Sequence, residues 1–124
     1  MIERLIDSVI LIDHFNGIKK ATRFILDLNP LHTAISVITR AEILAGLEET
    51  EQTQVISLLD QYHLLIIDRP IADLAAGLRR KHGWKLPDAF QAALAQHHKM
   101  KLTTRNTRDF PPAKHDFVEV PYSL

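Results

Sequence analysis

Five short apolar runs alternate along this chain with longer segments of helical period, and no other feature restricts the fold as much. The runs are Arg4 to Ile6, Thr33 to Ile38, Leu64 to Ile67, Lys101 to Thr104 and Phe117 to Val120, each of strand length. Between them lie Val9 to Phe15, Lys19 to Leu28, Arg40 to Leu47, Glu51 to Tyr62, Ile71 to Lys81 and Pro87 to Lys99, all with helical spacing. Ile71, Leu74, Ala75 and Leu78 share one helix face, and Phe90, Ala93, Leu94 and His97 share another, so both stripes are expected to face a core. Buried strands joined by helical crossovers predict an α/β fold: a mainly parallel five-stranded sheet with helices on both faces. Gly17, Asn29-Pro30, Gly83 and Pro111-Pro112 read as turns, none opens a linker, and the 124 residues are expected to form one domain over 1–124.

Composition narrows the function. With 46% apolar and 24% charged residues, the chain is expected to be a folded globular protein. It has no cysteine, which removes disulfides, thiolate zinc sites, iron-sulfur clusters and cysteine nucleophiles. Fifteen basic residues balance fifteen acidic ones, so a binder held to nucleic acid by charge alone is not expected, although local basic patches remain open. No apolar run approaches the roughly 20 residues of a membrane-spanning helix. The start, Met1 to Asp7, lacks the order of a secretion signal, and the cytoplasm is the expected compartment.

Ligands of open parallel sheets bind beyond the carboxyl ends of the strands, so acids at those ends matter most. Four qualify: Asp7 ends the first run, Glu42 follows the second, Asp88 opens the helix after Leu86-Pro87, and Asp109 follows the fourth. Three of them have structural explanations. Thr39-Arg40-Ala41-Glu42 has the form of a capping box, Asp88 suits the positive end of a helix dipole, and Asn106 to Asp109 repeats the spacing as an Asx cap with an acid three residues on. Asp7 is different, because it sits between Leu5-Ile6 and Val9 to Ile12 while Ser8 is available to cap the next helix. If these acids converge, their repulsion must be offset, since a like pair at about 4 Å costs on the order of 4 kcal/mol at an effective dielectric of about 20. Mg2+ or Mn2+, hard cations that seek oxygen, would offset it and could activate water against a phosphodiester.

At Leu5-Ile6-Asp7-Ser8, Ile35 to Gly46, Leu86-Pro87-Asp88-Ala89 and Thr104 to Phe110, the chain resembles PIN-domain ribonucleases, specifically the VapC-like toxins of bacterial type II toxin-antitoxin systems. The resemblance covers nearly the whole chain and implies a single PIN-like domain. It implies that Asp7, Glu42, Asp88 and Asp109 form the acidic quartet that binds Mg2+ or Mn2+ and cleaves RNA. It also implies that Ser8, Thr39 and Asn106 support the site, with Ser8 standing where the family more often has Thr. The implied reaction is hydrolysis of RNA by metal-activated water, leaving a 5′-phosphate and a 3′-hydroxyl. A cognate antitoxin and a homodimer are the implied partners, with apolar positions in Ile10 to Phe15 and Val55 to Leu59 as candidate docking surfaces.

An RNA substrate needs a path for its phosphates. Arg79, Arg80, Lys81 and Lys85 gather around Trp84 just before Asp88, while Arg105 and Arg108 flank Asn106. These residues are candidate RNA contacts, with Trp84 available to stack a base; a solvated helix end beside a half-buried Trp is the structural alternative. Two other functions stay open: a catalytically silent PIN-like binding module, and a phosphoaspartate receiver using Asp68. The receiver lacks the acidic pair it would want beside Asp7, where Ser8 stands. None of the seven histidines forms a readable catalytic or zinc-binding pair.

Overall fold

Arg4–Ile6 (β1) lies at the centre of a five-stranded sheet in the computed structural model, which describes residues 1–124. Thr33–Ser36 (β2) and His63–Leu65 (β3) extend the sheet on one side, and Lys101–Thr103 (β4) and Val118–Glu119 (β5) on the other, giving the order β3-β2-β1-β4-β5. Every pairing is parallel, with Leu5 opposite Ala34 and Leu102, Ile35 opposite Leu64, and Leu102 opposite Val118. The chain adds strands to one side of β1 and then crosses to the other. β1 and β4 therefore flank the point where strand order reverses, the usual place for a ligand in such sheets.

Helices Ser8–Phe15 (α1), Lys19–Asp27 (α2), Val37–Ala45 (α3) and Gln52–Leu59 (α4) cover one face, and Arg69–His82 (α5) and Leu86–His97 (α6) the other. Successive strand side chains point to opposite faces, which divides the core in two. Leu5, Ala34, Leu102 and Val118 pack with Ile71, Ala75 and the alanine-rich side of α6; Ile6 and Ile35 pack with Ile10, Leu11, Ile25, Ile43 and Leu59.

Expectation and structure differ at several boundaries. The second strand stops at Ser36 instead of Ile38, because the Ser36 hydroxyl accepts the Thr39 N–H at 3.0 Å and starts α3 there. Thr39 is thus inside the helix, and the expected Thr39–Glu42 capping box does not form. Asp7, not Ser8, caps α1, accepting the Ser8 N–H at 2.9 Å. In α6, Phe90 is half-buried and His97 is exposed, while burial extends over Ala89 and Gln91 to Ala95, a wider arc than the expected stripe. Asp68 caps α5 beside the outermost strand, accepting the Ile71 N–H at 3.2 Å, a structural role that leaves a receiver reading without support. No helix is long and apolar enough to cross a membrane.

Candidate active site

The carboxyl ends of β1, β2 and β4 open onto a cavity of about 410 Å³ that is bordered by Asp7, Glu42 and Asp88. Each acid comes from a different element. Asp7 is the residue between β1 and α1, Glu42 projects from the second turn of α3, and Asp88 stands in the first turn of α6 after Pro87. Ser8, Asn106 and Arg108 also line the cavity.

Asp7 is 6% exposed, and three protein donors satisfy it. Its Oδ1 accepts the Ser8 N–H at 2.9 Å and the Gln91 Nε2–H at 3.2 Å, and its Oδ2 accepts the Thr104 hydroxyl at 2.7 Å. Burial of its carboxyl and the charge of Asp7 raise Glu42 above the ordinary glutamate range, with the Ser8 side chain pulling the other way. Asp88 is pushed up to about 6, first by burial and then by the charges of Asp7, Asp109 and Glu42, with Lys85 opposing. The carboxylates therefore feel one another across the cavity, which is the electrostatic setting a divalent cation relieves.

Asp109 stands off the cavity. It is not among the residues that border the cavity, and its Oδ2 accepts the Asn106 side-chain N–H at 2.9 Å while Asn106 Oδ1 accepts the Asp109 backbone N–H at 3.3 Å. The Asx cap expected from the spacing is thus present, and Asp109 acts on Asp88 through charge. No three acidic or histidine side chains are gathered tightly enough to hold an ion as they stand. The all-oxygen donor set of Asp7, Glu42 and Asp88 fits Mg2+ or Mn2+.

The candidate RNA contacts divide. Arg108 is exposed at the cavity, and Arg80 and Lys85 are exposed nearby in sequence. Arg79 donates to the Trp84 carbonyl at 2.7 Å. Trp84 takes the structural alternative and is more deeply buried than that reading supposed: it is 5% exposed, stacked on His82 at 4.2 Å, packed against Phe110, and donates its indole N–H to the Asp109 carbonyl at 2.9 Å. Its burial leaves no face for a base, so it is a core residue under the Asn106–Asp109 turn. Arg105 borders the cavity but is held by Asp13. Lys81 borders a different cavity of about 710 Å³ at the amino ends of β1, β4 and β5, on the opposite sheet edge from the acids.

Sequence reasoning missed Gln91, Thr104, Asp13 and Tyr122. Gln91 was visible as a polar residue inside the run Ala89 to Ala95, and Asp13 as an acid inside apolar α1, but nothing local named their partners.

Residues 4–114 match the PIN domain. The chain belongs to the PIN-domain family, and its identity to a VapC ribonuclease places it with the VapC-like members. It is 32% identical over 115 residues to Ribonuclease VapC10 of Mycobacterium tuberculosis, covering 86% of this chain and 85% of that one. A toxin-antitoxin complex from Klebsiella pneumoniae contains a chain 36% identical, with a TM-score of 0.89 over 98% of this chain and 100% of that one. FitAcB from Neisseria gonorrhoeae, 24% identical with a TM-score of 0.78 over 98% of this chain and 99% of that one, shares the fold.

Proposed function

We propose that this chain is a metal-dependent endoribonuclease and the toxin of a type II toxin-antitoxin pair. The observation that carries the reading is the convergence of Asp7, Glu42 and Asp88, from three separate elements, on one cavity at the point where strand order reverses. Similarity to a VapC ribonuclease and to a chain of a toxin-antitoxin complex supports it.

Asp7, Glu42 and Asp88 would hold Mg2+ or Mn2+, with Asp109 adding negative charge beside Asp88. The bound ion supplies positive charge that acidifies water and neutralises the phosphodiester. The chain's own residues do the rest. Ser8 and Asn106 line the cavity as neutral hydrogen-bonding groups, and Arg108 offers a cation to a backbone phosphate. Asp7 is held in one rotamer by its three donors, so the site spends little on ordering it when substrate arrives. In the reaction, water oxygen bonds to phosphorus, the bond to the 3′ oxygen breaks, and that oxygen leaves with a proton as a 3′-hydroxyl, with the phosphate retained on the 5′ side. A cognate antitoxin and a second copy of this chain are the proposed partners, and the cytoplasm the proposed compartment.

The test is cleavage of RNA by purified protein with Mg2+, with Mn2+ and with chelator, beside Asp7→Asn. Cation-stimulated cleavage that the variant loses supports the reading. A folded Asp7→Asn protein with full activity removes Asp7 from the reaction, and a wild type with no cleavage in either metal returns the fold to a binding role.

A further inference from the structure

The Gln91 carboxamide joins the three elements that carry the acids. Gln91 lies one turn after Asp88 on α6, and its Nε2 donates both to Asp7 Oδ1 at 3.2 Å and to Thr39 Oγ1 at 2.8 Å. Thr39 precedes Glu42 by one turn on α3, on the same side of the helix. A single amide thus ties the end of β1, the helix of Glu42 and the helix of Asp88. Gln91 is 2% exposed and borders the acidic cavity.

Packing does not account for a glutamine here. On α6 it stands among buried Ala92, Leu94 and Ala95, with Phe90 beside it and Asp88 one turn back, and its own Oε1 is buried without a hydrogen-bond partner. An unbranched apolar side chain of similar length would fill the space and leave no acceptor unpaired. Turning the carboxamide over would set Oε1 against the Asp7 carboxylate, two acceptors face to face, so the observed orientation is dictated by Asp7. A carboxylate has about four acceptor directions. Ser8 and Gln91 fill those on Asp7 Oδ1, Thr104 fills one on Oδ2, and a direction on Oδ2 is left.

We infer that Gln91 is a positioning residue of this site, clamping Asp7 to α3 and α6 so that Asp7 presents a single oxygen direction, on Oδ2, to a divalent cation. The inference rests on the reading of the acidic cavity as the catalytic site. Without the amide, Oδ1 regains a free direction, the carboxylate can rotate, and the spacing of Asp7 from Glu42 and Asp88 is no longer set by a hydrogen bond.

The test uses Gln91→Met in the full chain, with wild type and Asp7→Asn alongside. Three quantities are read: thermal midpoint without cation, Mn2+ affinity by calorimetry, and kcat and KM on an RNA oligonucleotide. The expected result is an equal or higher thermal midpoint, Mn2+ affinity about 10- to 100-fold weaker, and a kcat lower by a similar factor with KM nearly unchanged. A folded Gln91→Met protein with wild-type Mn2+ affinity overturns the inference, as does activity that falls only in proportion to lost folded protein. Should Gln91→Met fail to fold, Thr39→Val removes the other acceptor of the same amide. Weaker Mn2+ binding is expected there, and an unchanged isotherm counts against the clamp. If wild type does not cleave RNA, the nuclease reading fails by itself, and the Mn2+ isotherms still decide the role of Gln91.

Discussion

Asp13 of α1 grips Arg105 in the loop after β4 by two parallel hydrogen bonds, Nε to Oδ2 at 2.8 Å and Nη2 to Oδ1 at 2.9 Å, and the Tyr122 hydroxyl donates to the same Oδ2 at 2.8 Å. The pair fastens the loop bearing Asn106 and Asp109 to the helix that Asp7 caps. An arginine expected from its position to meet RNA phosphate is instead a structural strut, although it still borders the cavity.

Replacing Asp13 by Asn should therefore destabilise the fold. It leaves Arg105 without a counter-charge and converts a bidentate acceptor into a mixed one. The loss should be about 2 kcal/mol, below the roughly 3–5 kcal/mol of a fully buried pair because 31% of the Arg105 side chain stays in water. Urea unfolding at neutral pH measures it.

The same pair sets an acid limb of stability. The Arg105 hydrogen bonds hold Asp13 below the ordinary aspartate range, against burial and with help from Tyr122. A folded pKa below the unfolded one means stabilisation is complete above the unfolded value, near 3.8, and is lost as pH falls through the folded value. Unfolding free energy measured from pH 7 down to 2 should fall more steeply in wild type than in Asp13→Asn. Parallel curves would show that Asp13 contributes nothing to acid unfolding.

Asp88 has the opposite sign. Its folded value of about 6 lies above the ordinary aspartate value near 3.8, so the metal-free folded state holds the extra proton between these limits, and its contribution to stability declines as pH rises through that window. Asp88→Asn should stabilise the metal-free protein by about 1 kcal/mol at pH 7.5, a figure reduced for partial solvent screening, with little gain at pH 4. Adding Mg2+ should raise the thermal midpoint of wild type more than that of the variant, and more at pH 7.5 than at pH 5.5, where the ion competes with the proton.

Trp84 and Arg108 separate core from surface. Trp84→Ala should cost about 3–5 kcal/mol through the cavity it leaves among His82, Phe110 and His115, seen as an earlier denaturant midpoint. Arg108→Ala, at an exposed position, should leave stability within about 0.5 kcal/mol of wild type. Its effect should appear as weaker RNA binding and a salt dependence shallower by about one phosphate contact. If the two variants exchange phenotypes in filter binding and denaturation, the assignment of Trp84 to the core is wrong.

Much of this arrangement was legible in the residues. Period-two and period-3.6 patterns depend on neighbours a few positions apart, so Leu5-Ile6, Ala34-Ile35 and the stripe Ile71 to Leu78 announced strands and a helix without reference to the rest of the chain. An acid such as Asp7 between apolar runs also declares itself, because leaving it there without partners would be costly. Capping was less legible. Ser36 and Thr39 are both good caps, and the apolar Val37-Ile38 between them suits a strand or a buried helix turn equally well.

The sequence by itself determined the α/β class, the approximate strands and helices, and the positions of Asp7 and Asp88 at element ends, because each of these follows from local periodicity and local solvation cost. Only the tertiary structure decided that Gln91 reaches both Asp7 and Thr39, that Asp13 holds Arg105 at the border of the cavity, and that Trp84 lies under the Asn106–Asp109 turn. Those partners are distant in the chain and are brought together by the strand order β3-β2-β1-β4-β5. Strand order is set by how whole helices cover the two sheet faces, a competition among long-range packings that no short stretch of residues encodes.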